Sequence, residues 1–215
     1  MLNLPHDLYT AEQTQELDRI VIEQHNISAA KLMARAGKAA LSSIKHTWRQ
    51  TERILVICGT GNNAGDGFEL ARQALANDYR VHVLQVGDET LMSAETLAAR
   101  DALLITGTEV HRFNEKLPPT DIIVDALIGN GLDREVTGEY KTVIEAINQT
   151  KRTPVLSLDI PSGLHADTGS AWGIAVKATI TLSFIGLNKG LFTGEGPNFC
   201  GTVCFDSLQI PSAIY

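Results

Sequence analysis

The stretch from Arg53 to Ala76 constrains the fold more than any other part of the chain. Its apolar residues from Ile54 to Cys58 predict a strand that is buried on both faces. A glycine-rich segment, GTGNNAGDG, follows at once, and apolar residues then recur at helical spacing from Phe68 onward. A strand, a glycine loop and a helix in this order present backbone N–H groups and a positive helix end to an anion. The pattern therefore predicts an α/β protein with a phosphate-binding loop.

The side chains between these glycines favour a binding site. The segment fits the loose dinucleotide pattern with alanine in third place, and it lacks the Gly-Lys-Ser/Thr ending of a triphosphate-binding loop. Phosphoryl transfer is therefore disfavoured. Asn62, Asn63 and Asp66 place two amides and a carboxylate where a dinucleotide loop is mostly small and apolar. The alternative is an ordinary turn between a strand and a helix, with capping side chains.

Composition limits the classes of partner. The chain has 215 residues, of which 44% are hydrophobic and 20% charged, as in an ordinary globular protein. We expect one domain over residues 1–215. A net charge of -7 argues against nucleic acid or an anionic membrane as partner. The chain start lacks the basic and apolar regions of a signal peptide, and the three cysteines form no Cys-x-x-Cys pair. We therefore expect a cytoplasmic protein without a membrane span.

The remaining elements predict the fold class. Thr10 and Gln13 form a capping box for a helix through about His25, and Ser28 can cap a second helix. These two helices either cover the sheet or form a surface for a partner. Further strands are predicted at 79–87, 108–113, 121–129, 155–160, 178–184 and 202–205, and helices at 90–104 and 140–149. This alternation predicts a Rossmann-like three-layer sandwich, with a doubly wound, mainly parallel sheet and helices on both faces.

Unusual polar residues follow several of these strands. In doubly wound sheets, ligands bind outside the carboxyl ends of the strands. The residues that come at or after predicted strand ends are Asn62, Asn63, Asp66, Asp125, Asp159, Ser162 and Lys189. Their recurrence on separate strands predicts one active-site rim.

Four segments in the same order resemble the signature blocks of the NAD(P)H-hydrate epimerase family, which has the YjeF N-terminal fold. They are GTGNNAGDG, VDALIGNGLDREVTG, LDIPSGLHADTG and TLSFIGLNKG. LMARAG, from Leu32 to Gly37, resembles the family's N-terminal helix motif, although Ala34 stands where that motif usually has glutamate. Ala64 replaces a usual glycine of the first block.

The resemblance implies a substrate and a partner. The substrate would be NADH or NADPH hydrated on the nicotinamide ring (NADHX or NADPHX), whose R and S epimers the family interconverts. A separate dehydratase, specific for the S form and fused to the epimerase in many bacteria, would then restore the cofactor. A homodimer is also expected.

The resemblance also implies residue roles. Asp159 would be the catalytic group, which gives and retakes a proton and stabilises a ring iminium while water adds to the other face. A potassium ion would take oxygen ligands from Asn63, Asp125 and Ser162, as hard cations do. Lys189 would either neutralise a phosphate or be a solvated loop residue. The residues expected to bind the substrate are Asn62, Asn63, Ala64, Gly65, Asp66, Gly129, Asn130, Gly131, Leu132, Asp133, Arg134, Glu135 and Lys189.

Two other functions stay open at this point. A non-catalytic binding module of the same fold could lose the acid/base residue, whereas this chain retains Asp159, Asp125 and Asn63. An ordinary nicotinamide oxidoreductase would need an acidic residue at the end of the second strand, and Asp88 is available there. The resemblance favours the epimerase.

Overall fold

A seven-stranded sheet, in which every pairing is parallel, forms the centre of the computed structural model, which describes residues 4–25 and 27–214. The strands are β1 (Leu8–Tyr9), β2 (Arg53–Cys58), β3 (Arg80–Gln85), β4 (Val110–Arg112), β5 (Ile122–Ala126), β6 (Val155–Leu158), β7 (Ile180–Phe184), β8 (Leu187–Asn188) and β9 (Thr202–Asp206). The order across the sheet is β4-β3-β2-β5-β6-β7-β9, and β1 pairs with β8 separately.

The strand order reverses next to β2. From β2 the chain adds β3 and β4 on one side, and it then crosses to β5 and adds the remaining strands on the other side. Ile57 of β2 is paired with Leu84 on one side and with Asp125 on the other. Such a reversal opens a crevice at the carboxyl ends of the two strands that flank it.

Helices cover both faces of this sheet, as the sequence predicts. They are α1 (Ala11–His25), α2 (Ala29–Thr47), α3 (Asn62–Leu75), α4 (Ala94–Leu104), α5 (Gly138–Gln149) and α6 (Gly196–Phe199). Ile54 and Val56 of β2 pack in one apolar cluster with α2, α3 and α4, whereas the intervening Leu55 packs in a second cluster with α5. This alternation confirms the three-layer α/β architecture. No helix within the described ranges has the length and apolar character needed to cross a membrane.

The two N-terminal helices begin as predicted. The backbone N–H of Thr10 donates to Gln13 Oε1 (2.9 Å), and the Gln13 N–H donates to Thr10 Oγ1 (3.2 Å), which completes the capping box. Ser28 Oγ accepts from the Lys31 N–H at the start of α2. The predicted apolar stripe of α2 is buried throughout: Leu32, Met33, Ala36, Ala40, Leu41 and Ile44. It packs on α3, so α2 covers the sheet through that helix.

Two local predictions need correction, and one strand pair was not predicted. The helix expected from Phe68 begins at Asn62, which shortens the glycine loop to residues 59–61. The helix expected over 90–104 is divided into a turn at Glu89–Leu91 and α4, because Ser93 caps a new helix start. The pair of β1 and β8 was not predicted, since two-residue strands carry no alternation signal. The ends of the predicted domain 1–215 lie outside the described residues.

Candidate functional site

A cavity of about 570 Å³ opens at the carboxyl edge of the sheet, beside the point where the strand order reverses. Its walls are the start of α3, the segment after β5, Asp159 after β6, and one face of α1. Tyr140 of α5 and Ile185 after β7 also line it. Polar residues from distant parts of the sequence therefore meet at this edge, as the predicted rim requires.

The N-terminus of α3 opens onto this cavity. Gly61 at the N-cap has no side chain to cap the helix, and the N–H groups of Asn62 and Asn63 have no hydrogen-bond partner among the described residues. Asn62, Asn63 and Asp66 line the cavity, as predicted. A Cβ atom built on Gly61 would meet no heavy atom within 4 Å, so the backbone is open to a ligand there. This end of the helix suits an anion.

The other glycines of the segment serve packing. A Cβ on Gly65 would lie 2.6 Å from Met33 Sδ of α2, and one on Gly67 would lie 2.6 Å from Ala126 Cβ of β5. Ala64 is fully buried. Ala64 and Gly65 are not among the residues that line the cavity, because the early helix start turns them toward the protein interior. Their predicted contact with substrate is not supported by this placement.

The segment after β5 follows the prediction closely. All seven residues from Gly129 to Glu135 line the cavity. A Cβ on Gly129 would lie 3.2 Å from Asp159 Oδ2 and 3.3 Å from Asn63 Cβ, so a larger residue would crowd the site. Arg134 is the single Lys or Arg among the described residues of the cavity wall. Its side chain is 86% exposed and lies 3.9 Å from Asp133, which leaves it able to contact a phosphate.

Asp159 directly follows β6 and has a strained backbone conformation. Its φ angle is +65°, and the Ile160 N–H donates to Leu158 O (2.8 Å), which closes a three-residue γ-turn around it. The Asn130 N–H donates to Asp159 Oδ2 (3.0 Å). Burial raises the pKa of Asp159 to about 6, and the Asn130 hydrogen bond partly opposes that rise. A carboxyl group with this pKa can both donate and accept a proton near neutral pH.

Two other carboxyl groups of the cavity wall, those of Asp18 and Asp66, also have raised pKa values. Burial, and then the charge of Asp159, raise the pKa of Asp18 to about 7. Burial and the charges of Asp159, Asp18 and Glu69 raise the pKa of Asp66 well above its usual range. None of the three carboxylates forms an ion pair within the described part of the chain.

Asp18 is not among the predicted site residues, because a charged residue of an amphipathic helix is usually interpreted as solvent-exposed. The structure corrects this interpretation, since Asp18 is only partly exposed and lines the cavity. It lies four residues after Thr14 and three before Val21, both of which are buried. A carboxylate inside a buried helical stripe is the signal that could have found it.

The three residues predicted to hold potassium are all buried, and two of them, Asp125 and Ser162, are hydrogen-bonded to each other. Asp125 is fully buried, and its two oxygens accept from Ser157 Oγ (2.7 Å), Ser162 Oγ (2.6 Å), and the N–H groups of Ser162 and Leu127. Burial raises the pKa of Asp125, and these hydrogen bonds lower it. Asn63 Nδ2 donates to Leu158 O (3.2 Å), whereas the buried Asn63 Oδ1 has no hydrogen-bond partner within the described residues.

Lys189 and Asp88 are placed less favourably for their predicted roles. After β7 the chain folds back, and β8 leaves the main sheet to pair with β1. Lys189, which follows β8, is therefore not among the residues that line the cavity, and its predicted contact with substrate lacks support. Asp88 does line the cavity, but its Oδ1 accepts from the Thr90 N–H (3.0 Å) and caps the following turn.

A parallel doubly wound sheet, with a helix N-terminus and a glycine segment around one crevice, defines a Rossmann-like α/β protein. A sequence model of the family described as "YjeF-related protein N-terminus" matches residues 29–190. The chain belongs to this family.

Curated relatives with similar sequences are of two kinds. The bifunctional NAD(P)H-hydrate repair enzyme Nnr of Coxiella burnetii is 39% identical over 209 residues, which are 97% of this chain and 42% of that protein. The NAD(P)H-hydrate epimerase of Limosilactobacillus fermentum is 35% identical over 194 residues, which are 90% of this chain and 93% of that protein. This chain thus spans about two fifths of the length of the bifunctional relative, and nearly the whole length of the other.

A solved structure has the same fold. The crystal structure of yeast ynu0 superposes with a TM-score of 0.83 at 19% sequence identity, and the match covers 97% of this chain and 91% of that one. At this identity the likeness establishes the fold.

Proposed function

We propose that this protein is an NAD(P)H-hydrate epimerase, which interconverts the R and S forms of NADHX or NADPHX. The observation that carries the proposal is the half-buried Asp159 carboxyl group, which lies beside the Gly129–Glu135 segment in a cavity that also contains the start of α3. The names of the similar proteins, which act in NAD(P)H-hydrate repair or epimerisation, support the same reaction. A binding module would have no need of a strained carboxyl group with a pKa near 6.

The charges of the cavity wall suit the two ends of such a substrate. The phosphates of the dinucleotide would meet the N–H groups at the start of α3 and the guanidinium group of Arg134. The acidic residues of the wall are Asp18, Asp66, Asp88, Asp133, Glu135 and Asp159. These carboxylates suit the nicotinamide ring, because the ring becomes cationic when its hydroxyl group leaves.

The chemistry assigns two tasks to Asp159. In its protonated form it donates a proton to the hydroxyl group on the hydrated ring carbon, the C–O bond breaks, and water leaves. The ring nitrogen lone pair then forms the iminium double bond, and the ionised Asp159 stabilises that positive charge. Addition of water to the opposite face, with loss of one proton, yields the other epimer. A pKa of about 6 allows both protonation states to be populated near neutral pH.

The buried residues Asn63, Asp125 and Ser162 support a potassium site beside this cavity. Asn63 Oδ1 is buried without a hydrogen-bond partner in the described residues, and Asp125 is a fully buried carboxyl group with no Lys or Arg partner there. We propose that Asn63, Asp125 and Ser162 hold the ion, since neutral and charged oxygens are the ligands that hard cations take. When bound, the ion would offset the charge of Asp125. Each Asp125 oxygen already accepts two hydrogen bonds, so Asn63 Oδ1 is the group most in need of the ion.

An epimerisation assay tests the proposed function. A dehydratase specific for S-NADHX, given a mixture of both epimers, converts the S form to NADH and leaves the R form. Addition of this protein should convert the remaining R form as well, which the absorbance of NADH reports. R-NADHX that persists at its spontaneous rate, while the protein binds NADHX, would instead support the binding module. NADH oxidation with a carbonyl substrate would support the oxidoreductase.

The partners follow from the same proposal. The S epimer that this protein forms would be the substrate of a dehydratase, either a separate protein or a fused domain, and the bifunctional relatives support this pairing. A homodimer and a cytoplasmic location stay predictions, which size-exclusion chromatography with light scattering and cell fractionation can test.

A further inference from the structure

We propose that Asp18 is a second acid/base residue of this site, and that it serves the face of the hydrated ring opposite to the one that Asp159 serves. The proposal rests on the epimerase activity proposed above. Asp18 lines the same cavity as Asp159 but comes from α1, whereas Asp159 lies at the carboxyl edge of the sheet.

Epimerisation by loss and return of water requires proton transfer on both faces of the ring. On one face the hydroxyl group takes a proton from a carboxyl group and leaves as water. On the other face a water molecule attacks the iminium carbon and loses a proton to a base, and the sum of protons is unchanged. One carboxyl group cannot reach both faces of a planar ring held in a fixed orientation. A second group on another wall of the cavity meets this requirement.

The wall that carries Asp18 is firmly attached to the rest of the protein. The Ala11 N–H, in the first turn of α1, donates to Asp167 Oδ1 (2.7 Å). The Thr14 hydroxyl, one turn before Asp18, donates to Asn188 Oδ1 (3.2 Å), and Leu8–Tyr9 pairs with β8. The Asp18 side chain has no hydrogen bond or ion pair with any described residue. A fixed helix therefore presents a free carboxyl group to the cavity.

The placement of the Asp18 and Asp159 carboxyl groups leaves room for a substrate between them. They do not form a hydrogen bond with each other, so they are not a dyad that shares one proton. Both residues line the same cavity from different elements, and the charge of Asp159 raises the pKa of Asp18. Two carboxyl groups that flank a reacting carbon, one for the leaving oxygen and one for the attacking water, form the arrangement of inverting glycosidases.

Asp66 is the competing residue for this role. It belongs to the first turns of α3, on the same wall as Asn63, whose side chain bonds to Leu158 O directly before Asp159. From that wall it would approach the ring on the side of Asp159. The geometry therefore favours Asp18 for the opposite face.

Oxygen exchange separates the two faces experimentally. Each pure epimer of NADHX is incubated with enzyme in H₂¹⁸O, and chromatography with mass spectrometry measures inversion and label uptake separately. The wild-type enzyme should incorporate one solvent oxygen for each inversion. In Asp18→Asn, inversion should fall by about 10²- to 10⁴-fold. The epimer whose hydroxyl group faces Asp159 should still exchange its oxygen with retention, and the other epimer should be inert. In Asp159→Asn the pattern should reverse: the epimer whose hydroxyl group faces Asp18 should exchange its oxygen with retention, and the epimer whose hydroxyl group faces Asp159 should be inert.

The outcomes decide the proposal. Glu12→Gln, which changes an exposed residue of the same helix, should behave as the wild type. Asp18→Ala repeats the test should Asp18→Asn fail to fold. The inference is overturned if exchange and inversion fall in proportion for both epimers in Asp18→Asn, if that variant inverts at the wild-type rate, or if Asp66→Asn gives the interchanged pattern in its place. A wild-type enzyme that inverts neither epimer would overturn the proposed function itself.

Discussion

Asp159 and Ile185 end neighbouring strands with the same unusual backbone conformation. Their φ angles are +65° and +61°, and in each case the N–H of the next residue donates to the carbonyl of the preceding one. Such turns cost about 1–3 kcal/mol each, and the cost is highest for a β-branched residue such as Ile185. Both residues line the cavity. Strain at two adjacent strand ends indicates that the sheet edge is shaped for a ligand.

The first residue-scale prediction concerns catalysis by Asp159. Asp159→Asn keeps the shape of the side chain but removes its ability to transfer a proton or to balance an iminium charge. We expect turnover to fall by about 10²- to 10⁴-fold while substrate still binds. Turnover and affinity, measured separately, check this expectation. If Asp159 only binds the ribose or caps its turn, affinity would weaken and turnover at saturation would stay within about tenfold of the wild type.

The second residue-scale prediction concerns stability and Asp18. The pKa of Asp18 rises from 3.8 to about 7 on folding, so between these pH values the folded state holds a proton that the unfolded state has lost. Asp18 therefore lowers the free energy of unfolding progressively as pH rises through this window. We expect Asp18→Asn to melt at a higher temperature than the wild type at about pH 8, and at nearly the same temperature at about pH 4.

Thermal denaturation at both pH values, with Glu12→Gln as the exposed control on the same helix, measures this effect. The control should show no gain at about pH 8. An Asp18→Asn variant that is less stable than the wild type at high pH would contradict the expectation, and it would indicate that the ionised carboxylate has a stabilising partner.

At the scale of elements, α3 both offers its N-terminus to an anion and packs closely on the sheet, and a different glycine serves each function. Gly61 precedes the helix and faces open space, whereas Gly67, six residues on, faces Ala126 and Cys58 of the sheet. The first glycine leaves the end of the helix accessible to an anion. The second lets the helix lie close to the strands, which brings Asn63 and Asp66 to the cavity.

Alanine substitutions at these two glycines should therefore affect different properties: the one at Gly67 should lower stability, and the one at Gly61 should weaken substrate binding. Gly67→Ala would place a methyl group 2.6 Å from Ala126 Cβ and 2.9 Å from Cys58 Sγ, and such overpacking costs about 1–3 kcal/mol of stability. Gly61→Ala, with φ at -84°, should fold normally and weaken substrate binding, because the methyl group would occupy the approach to the helix end. Chemical denaturation and binding titration measure the two effects. A stable Gly67→Ala variant, or full affinity in Gly61→Ala, would contradict this division.

At the scale of the whole molecule, the proposed potassium ion would connect residues from three parts of the fold. Asn63 comes from α3, Asp125 from β5 and Ser162 from the loop after β6. We expect thermal stability to be higher in potassium chloride than in tetramethylammonium chloride of equal ionic strength. An ion present at a hundred times its dissociation constant would contribute about 2.7 kcal/mol.

Asn63→Leu should remove this dependence on potassium, because it removes the unpartnered amide oxygen. Asn148→Leu is the matched control, since both amide atoms of Asn148 are already hydrogen-bonded, to Ala175 O and by the Lys177 N–H. It should lower stability but keep the gain in potassium. An equal gain in Asn63→Leu would argue against the proposed site.

Local patterns determined most of the fold. Apolar runs predicted the buried strands, and the capping residues Thr10 and Ser28 predicted the two N-terminal helices. The alternation of strands and helices predicted the parallel architecture. The Gly129–Glu135 segment, Asn62, Asn63, Asp66 and Asp159 do meet at one cavity. These features were accessible because side-chain period, capping and the position of strand ends are local properties of the chain.

Tertiary contacts decided the rest. The sequence alone does not distinguish Gly65 and Gly67 from Gly61. Their close neighbours in the structure, Met33 and Ala126, show that Gly65 and Gly67 serve packing. Asp18 lies 141 positions before Asp159, and only the docking of α1 onto Asp167, Asn188 and β8 brings it to the cavity. Lys189 follows a predicted strand end in the sequence. In the structure it comes after β8, which pairs with β1 and not with the main sheet, and it does not line the cavity. Such long-range contacts depend on how the layers pack, which no local pattern in the sequence records.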